Sequence, residues 1–143
     1  MNQPATPIAQ FFNAFQDNSS AMNLPAILPR FADVFMAAGP HGAQAVHAAD
    51  FAAALPRRKQ FFESLGSQST TLVSLSESPL DARYVLVKTQ WQMNFLRPDG
   101  QTQPVLVDSI YIVDTAPKEF KIIFYLNPHD LMALLKQHGI TPA

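Results

Sequence analysis

The chain has no cysteine, which excludes disulfides, thiolate nucleophiles and any zinc or iron-sulfur site built on thiolate ligands. The redox compartment is left open. Glycine is scarce, with 5 residues, and charged types make up only 15% of the chain, so neither a collagen-like repeat nor a disordered polyelectrolyte fits. Ten Lys and Arg against eleven Asp and Glu give a net charge of -1. No basic field exists to grip a nucleic-acid backbone or an anionic membrane. No apolar run approaches the roughly 18 residues of a membrane span. The stretch from Met1 to Ser20 has neither the positive start nor the continuous apolar stretch of a secretory leader. The expectation is a cytoplasmic chain with neither nucleic acid nor membrane as a partner. Also missing are GxGxxG, a Gly-Lys-Ser/Thr phosphate loop, GxSxG and HExxH, so no nucleotide cofactor or zinc-hydrolase site is expected.

What the chain does have is apolar mass: 48% apolar residues, including 11 Phe, in 143 residues. That length suits one domain spanning 1–143, with its core at about 5–139. Between Thr6 and Asp17, residues Ile8, Phe11, Phe12 and Phe15 recur at helical spacing, and Pro7 is tolerable in a first turn. Asn18-Ser19-Ser20 breaks the pattern, and a second short helix is expected from Asn23 through Leu28. Phe31 to Phe35 carries the chain onward to a turn at Gly39, Pro40 and Gly42. From His47 to Leu65 the helical period returns, with Pro56 expected to divide it and Gly66 to cap it.

Beyond Gly66 the period becomes extended. Thr70 to Leu75 is a candidate strand and Ser76 to Asp81 a turn. From Ala82 to Phe95, Val85, Val87, Thr89, Trp91, Met93 and Phe95 share one face while Lys88, Gln90, Gln92 and Asn94 share the other. Pro98-Asp99-Gly100 predicts a hairpin leading to a strand at Pro104–Val113. After a turn at Thr115–Glu119, Phe120–Leu126 reads as extended and Asn127–Gly139 as a short final helix. The predicted fold is α+β: N-terminal helices packed on a curved antiparallel sheet of three or four strands, closed by a short C-terminal helix.

This element order, together with the string Phe31-Ala32-Asp33-Val34-Phe35-Met36-Ala37-Ala38-Gly39-Pro40-His41-Gly42, resembles the nuclear-transport-factor-2-like (NTF2-like) superfamily. The likeness is to its bacterial SnoaL-like branch, related to polyketide cyclases and ketosteroid isomerases. The resemblance implies a cone-shaped domain with a pocket between the first helix and the concave sheet, binding a small hydrophobic organic ligand and often forming a homodimer through the outer sheet face. It does not imply one activity, since isomerases, cyclases, dehydratases and noncatalytic modules share the fold. The isomerases place an Asp before the Pro-x-Gly part of the string, where this chain has Gly39, and their first-helix phenol falls on Phe11, Phe12 or Phe15. Neither replacement can transfer a proton or donate to an oxyanion through its side chain.

Three residues remain as proton-transfer candidates. His41 is one because imidazole titrates near neutrality. Asp33 is an acid near the expected pocket mouth, or else a structural turn residue. Asp108 faces either the pocket or the opposite side with Leu106 and Ile110, and if buried it needs a partner such as His41 or Tyr125. Phe12, Phe15, Phe31, Trp91, Tyr111, Tyr125 and Asn127 are expected to bind the ligand, although Trp91, Tyr111 and Tyr125 also suit a core or dimer interface. His129 is a weaker rim candidate. Arg57, Arg58 and Lys59 read as a solvated helix start. No metal site is expected, because His41 and His47 are six apart and His129 adjoins Asp130.

Overall fold

The computed structural model describes residues 5–141; the extreme ends of the 1–143 expectation lie outside the described residues. The elements run α1 (Pro7–Ser20), α2 (Leu24–Ile27), a 3₁₀ turn (Leu28–Arg30), β1 (Phe31–Gly39), β2 (Gly42–His47), α3 (Ala48–Ser64), β3 (Ser67–Pro79), β4 (Tyr84–Leu96), β5 (Thr102–Asp114), β6 (Lys121–Leu126) and α4 (Leu131–Gln137). Helix α1 starts where Thr6 Oγ1 accepts the Ala9 N–H at 3.1 Å, with Pro7 beside it in the first turn. Its buried face is Ile8, Phe11 and Phe12. The helix ends at Ser20, so it runs through Asn18-Ser19-Ser20 where a break was expected, and Asn18 Oδ1 accepts the Arg30 Nε–H at 2.9 Å.

The sheet has six strands in the order β2-β1-β6-β5-β4-β3, more than the three or four expected. It is mixed, because β1 pairs with β6 in parallel while the other neighbours are antiparallel. The β1–β2 hairpin and the strand character of Ser76–Pro79 are what the sequence reading left out. Ala43 and Ala45 give β2 little strand propensity of their own, and pairing with β1 supplies what propensity does not. Strands β4 and β5 keep full register, with Thr89 opposite Ser109, Trp91 opposite Val107 and Val87 opposite Tyr111. Register shifts in β1, in β3 and between β5 and β6 bend the sheet around the helices.

Helix α3 is continuous from Ala48 to Ser64 with Pro56 inside it, where a division was expected. Pro56 removes one helical hydrogen bond, but Ala52 is buried and Phe51 and Leu55 pack on the core, which holds the helix through the defect. Gly66 follows the helix as anticipated, at φ +100°; a Cβ there would stand 2.5 Å from the Leu96 carbonyl oxygen, so both dihedral and space demand glycine. Two apolar clusters result. One joins Ile8, Phe11, Phe12, Ile27, Phe31, Phe35, Trp91 and Tyr111 between α1, β1 and the sheet. The other gathers Met93, Phe95, Val105, Val107 and Leu135 beneath α4. Among the described residues, no helix is long and apolar enough to cross a membrane.

Where β4 begins and β5 ends, Arg83 grips Asp114 with two hydrogen bonds of 2.8 Å. Asp114 is 7% exposed, and the Arg83 hydrogen bonds lead in holding its carboxyl below the ordinary carboxylate range. In the unfolded chain that carboxyl titrates near its usual value of about 3.9. A group depressed on folding stabilises fully above its unfolded value, and the contribution is lost as pH falls through the native value. Replacing Asp114 with Asn is expected to cost about 1–2 kcal/mol at neutral pH, limited by the solvent screening that half-exposed Arg83 receives. Urea denaturation at pH 7 and again near pH 3 checks this: the gap between parent and variant should narrow in acid.

Candidate functional site

The two apolar clusters do not meet completely. Between α1, the second half of α3 and the inner face of the sheet they leave a cavity of about 550 Å³, within the roughly 300–1,000 Å³ typical of small-molecule sites. Phe15, Leu55, Phe62, Met93, Val107 and Leu131 are among its apolar lining; Ser109, Tyr111, Tyr125 and Asn127 are among its polar groups, with Gln16, Gln68 and a run of Ser and Thr hydroxyls from α1 and β3 adding more. Trp91 also lines it, with its indole Nε1–H donating to Thr89 Oγ1 at 2.8 Å, while Thr89 Oγ1 donates to the Ser109 carbonyl at 3.0 Å. That relay satisfies the inner polar groups, and among the described residues no buried side-chain nitrogen or oxygen lacks a partner.

Tyr111 and Tyr125 lie with ring centres 5.2 Å apart. Burial raises the Tyr111 phenol above its ordinary value, and the neighbouring Tyr125 adds to the shift; Ser109, Trp91 and the positive charge of Arg58 oppose it. The phenol is therefore protonated at neutral pH and available as a hydrogen-bond donor. At the mouth stand Arg58, Lys59 and Glu63, with the Lys59 ammonium donating to the Ser20 carbonyl at 3.0 Å.

Phe15, Trp91, Tyr111, Tyr125 and Asn127 thus share one wall. Phe12 and Phe31, expected beside them, are set behind it. Phe12 is fully buried with its ring 4.8 Å from Tyr111, and Phe31 packs between Phe35 and Phe51 at 4.8 and 4.9 Å. Their rings close the narrow end instead of facing the cavity.

The proton-transfer candidates are dispersed. Asp33 is exposed on β1. Asp108 is exposed on the outer face of β5, of the two orientations open to it the one away from the cavity, and its partners are His129 at 3.0 Å and Gln90 at 3.4 Å rather than His41 or Tyr125. His41, at the tip of the β1–β2 turn, has a side chain 84% exposed and lies 3.3 Å from Asp130. The Asp130 carboxylate also caps α4 by accepting the Ala133 N–H at 3.1 Å. That bond first, and His41 second, lowers its pKa. His41, His129 and Asp130 line a separate shallow cleft of about 380 Å³. The cleft shares Arg58, Phe62, Asn127 and Leu131 with the main cavity. Among the described residues, no three metal-ligating side chains gather.

Arg58 is the functional candidate that the sequence reading passed over. Leu55, Arg58, Lys59 and Phe62 follow helical spacing, so the basic pair shares a face with two apolar cavity residues. That spacing was the available signal.

No family model matches the sequence, and no curated protein matches it in sequence. Solved structures do match in fold. An NTF-2 like protein of unknown function from Shewanella oneidensis MR-1 superposes with a TM-score of 0.67 at 14% identity, covering 85% of this chain and 96% of the other. Aln2 from a Streptomyces species gives 0.70 at 8% identity, covering 94% and 99%. The beta subunit of the benzoate 1,2-dioxygenase from Burkholderia mallei gives 0.64 at 14% identity, covering 90% and 92%. The chain therefore has the NTF2-like fold, with α1 and α3 packed on a curved mixed sheet and α4 closing one end.

Proposed function

We propose that this NTF2-like protein binds a compact, largely apolar organic molecule in the main cavity. The observation that carries the reading is the space itself. Aromatic packing fills the narrow end around Phe12 and Phe31, yet about 550 Å³ stays open beside Phe15, Trp91, Tyr111 and Tyr125. Apolar surface entering that space is favoured by leaving water. The Tyr111 phenol offers a neutral donor to a carbonyl or alkoxide oxygen. Noncatalytic binding is the reading this wall supports best, because the imidazoles lie outside the cavity lining and its carboxylate, Glu63, is an exposed residue of the mouth.

The chain's single Trp is in that wall, so its emission reports occupancy. A neutral biphenyl amide is expected to change Trp91 fluorescence saturably at one site, and Val107→Phe, which fills the cavity, should abolish the change. An unsaturable response, or one indifferent to Val107→Phe, would overturn the reading.

A catalytic alternative is isomerisation, cyclisation or dehydration in the manner of the SnoaL-like and ketosteroid isomerase-related branch, with His41, Asp33 or Asp108 moving the proton. Its support is the shared wall, through which His41 and Asp130 adjoin the main cavity. On that reading H41A lowers turnover by about tenfold or more while leaving fold and cavity binding intact; an unchanged rate removes His41 from the chemistry.

A homodimer across the outer sheet face completes the proposal. Register aligns Met36, Phe124, Ile112 and Leu86 across β1, β6, β5 and β4, with Leu126 and Ile110 paired in the next row. Lys88 and Asp108 flank this stripe on the same face and provide opposite charges for a two-fold pairing. Ile110→Lys is expected to convert a sedimenting dimer to a monomer, whereas a parent chain already monomeric at micromolar concentration counts against the dimer.

A further inference from the structure

The identity of the cavity's ligand can be narrowed by the charges at its mouth. Arg58 lies on the wall common to the main cavity and the shallow cleft. Its guanidinium stands 5.4 Å from the centre of the Phe62 ring, held against an apolar surface. The ion pairs among the described residues are His41–Asp130, Arg83–Asp114 and His129–Asp108. Arg58 belongs to none of them. Arg58 lines the same cavity as Tyr111, and its charge is the least of the influences on that phenol, opposing the rise that burial causes.

The neighbouring charges do not cancel that of Arg58. Lys59 adds a second cation, already donating one bond to Ser20, and Glu63 is the carboxylate among the described lining residues. Two positive groups thus face Glu63 in the main cavity, while in the adjoining cleft the Asp130 carboxylate is engaged by His41 at 3.3 Å and by the Ala133 N–H at 3.1 Å. Deeper in, Ser109, Tyr111 and Tyr125 bring hydroxyls but no formal charge. A wholly neutral molecule seated against Arg58 would strip water from a guanidinium and return no charged acceptor. A carboxylate would replace that water with a planar, bidentate partner.

We propose that the ligand is an organic carboxylate with an apolar body, its carboxylate held by Arg58 at the cavity mouth and its body lying against Phe15, Trp91, Met93 and Val107. This rests on the binding reading above and specifies the class of molecule bound. Arg58 is then the residue that selects anions over neutral molecules of the same shape, and the phenols deeper in the cavity take any polar group at the far end.

The test compares a matched pair on the full chain near neutral pH: biphenyl carboxylate and biphenyl carboxamide, read by Trp91 emission and by calorimetry. The carboxylate is expected to bind about tenfold more tightly than the amide, with the advantage shrinking as salt is raised. Arg58→Gln should bring the two to near parity, and Arg58→Lys should restore part of the preference. Circular dichroism of both variants establishes that the substitution leaves the fold intact. Equal affinities in the parent chain, or a carboxylate preference that survives Arg58→Gln, would overturn the assignment while leaving small-molecule binding in place. Binding of neither probe would overturn both.

Discussion

The constraint on which the rest depends is the seating of α1's aromatic face in the concavity of the sheet. Phe12 meets Tyr111 at 4.8 Å and Phe15 meets Trp91 at 6.4 Å, so rings rather than flexible aliphatic chains set how far the helix stands from β4 and β5. Phe31 and Phe51 continue the contact across β1 and α3. Rigid rings at one end act as a wedge. They cannot collapse to let α1 descend toward the sheet at the other end, where Met93 and Val107 belong to the separate cluster under α4. The cavity is thus a consequence of how the core is packed.

The same arrangement divides the molecule's polar chemistry. Inside, hydroxyls, an indole and side-chain amides accompany apolar walls; outside, histidines pair with carboxylates on the rim and the outer sheet face. The exposed pairs have little electrostatic force in water, whereas the guanidinium at the cavity mouth borders a less polar space. A fold shared with a dioxygenase beta subunit at 14% identity carries no activity with it, so the functional argument has to begin from this division.

Legibility in the sequence followed how local the determining physics is. The face of β4 was readable because Val87, Thr89, Trp91, Met93 and Phe95 alternate with polar partners, and Gly66 was readable because a helix end needs the backbone freedom that only glycine provides. Strand β2 was not, since its alanines acquire strand geometry from β1, and the parallel join of β1 to β6 unites segments distant in the chain. Asp108 shows an intermediate case: alternation allowed two orientations, and only the fold brought His129 to the outer one. Phe12 and Phe31 were identified as aromatic wall residues, but whether a ring lines a space or fills it depends on neighbours that sequence periodicity does not name.

The proline within α3 has a consequence for how this protein can change. Before Pro56, the helix contributes Ala48, Phe51 and Ala52 to the core, with Leu55 both packing there and lining the cavity; after it come Arg58, Lys59 and Phe62 at the open end. The residue that interrupts the hydrogen-bond ladder also stands between two selective regimes on one helix. Substitutions up to Ala52 are answered by folding, whereas those at Arg58 and Lys59 are answered by what the cavity admits. A lineage carrying this helix can therefore explore new ligands over two turns of chain while inheriting its architecture from the turns before them.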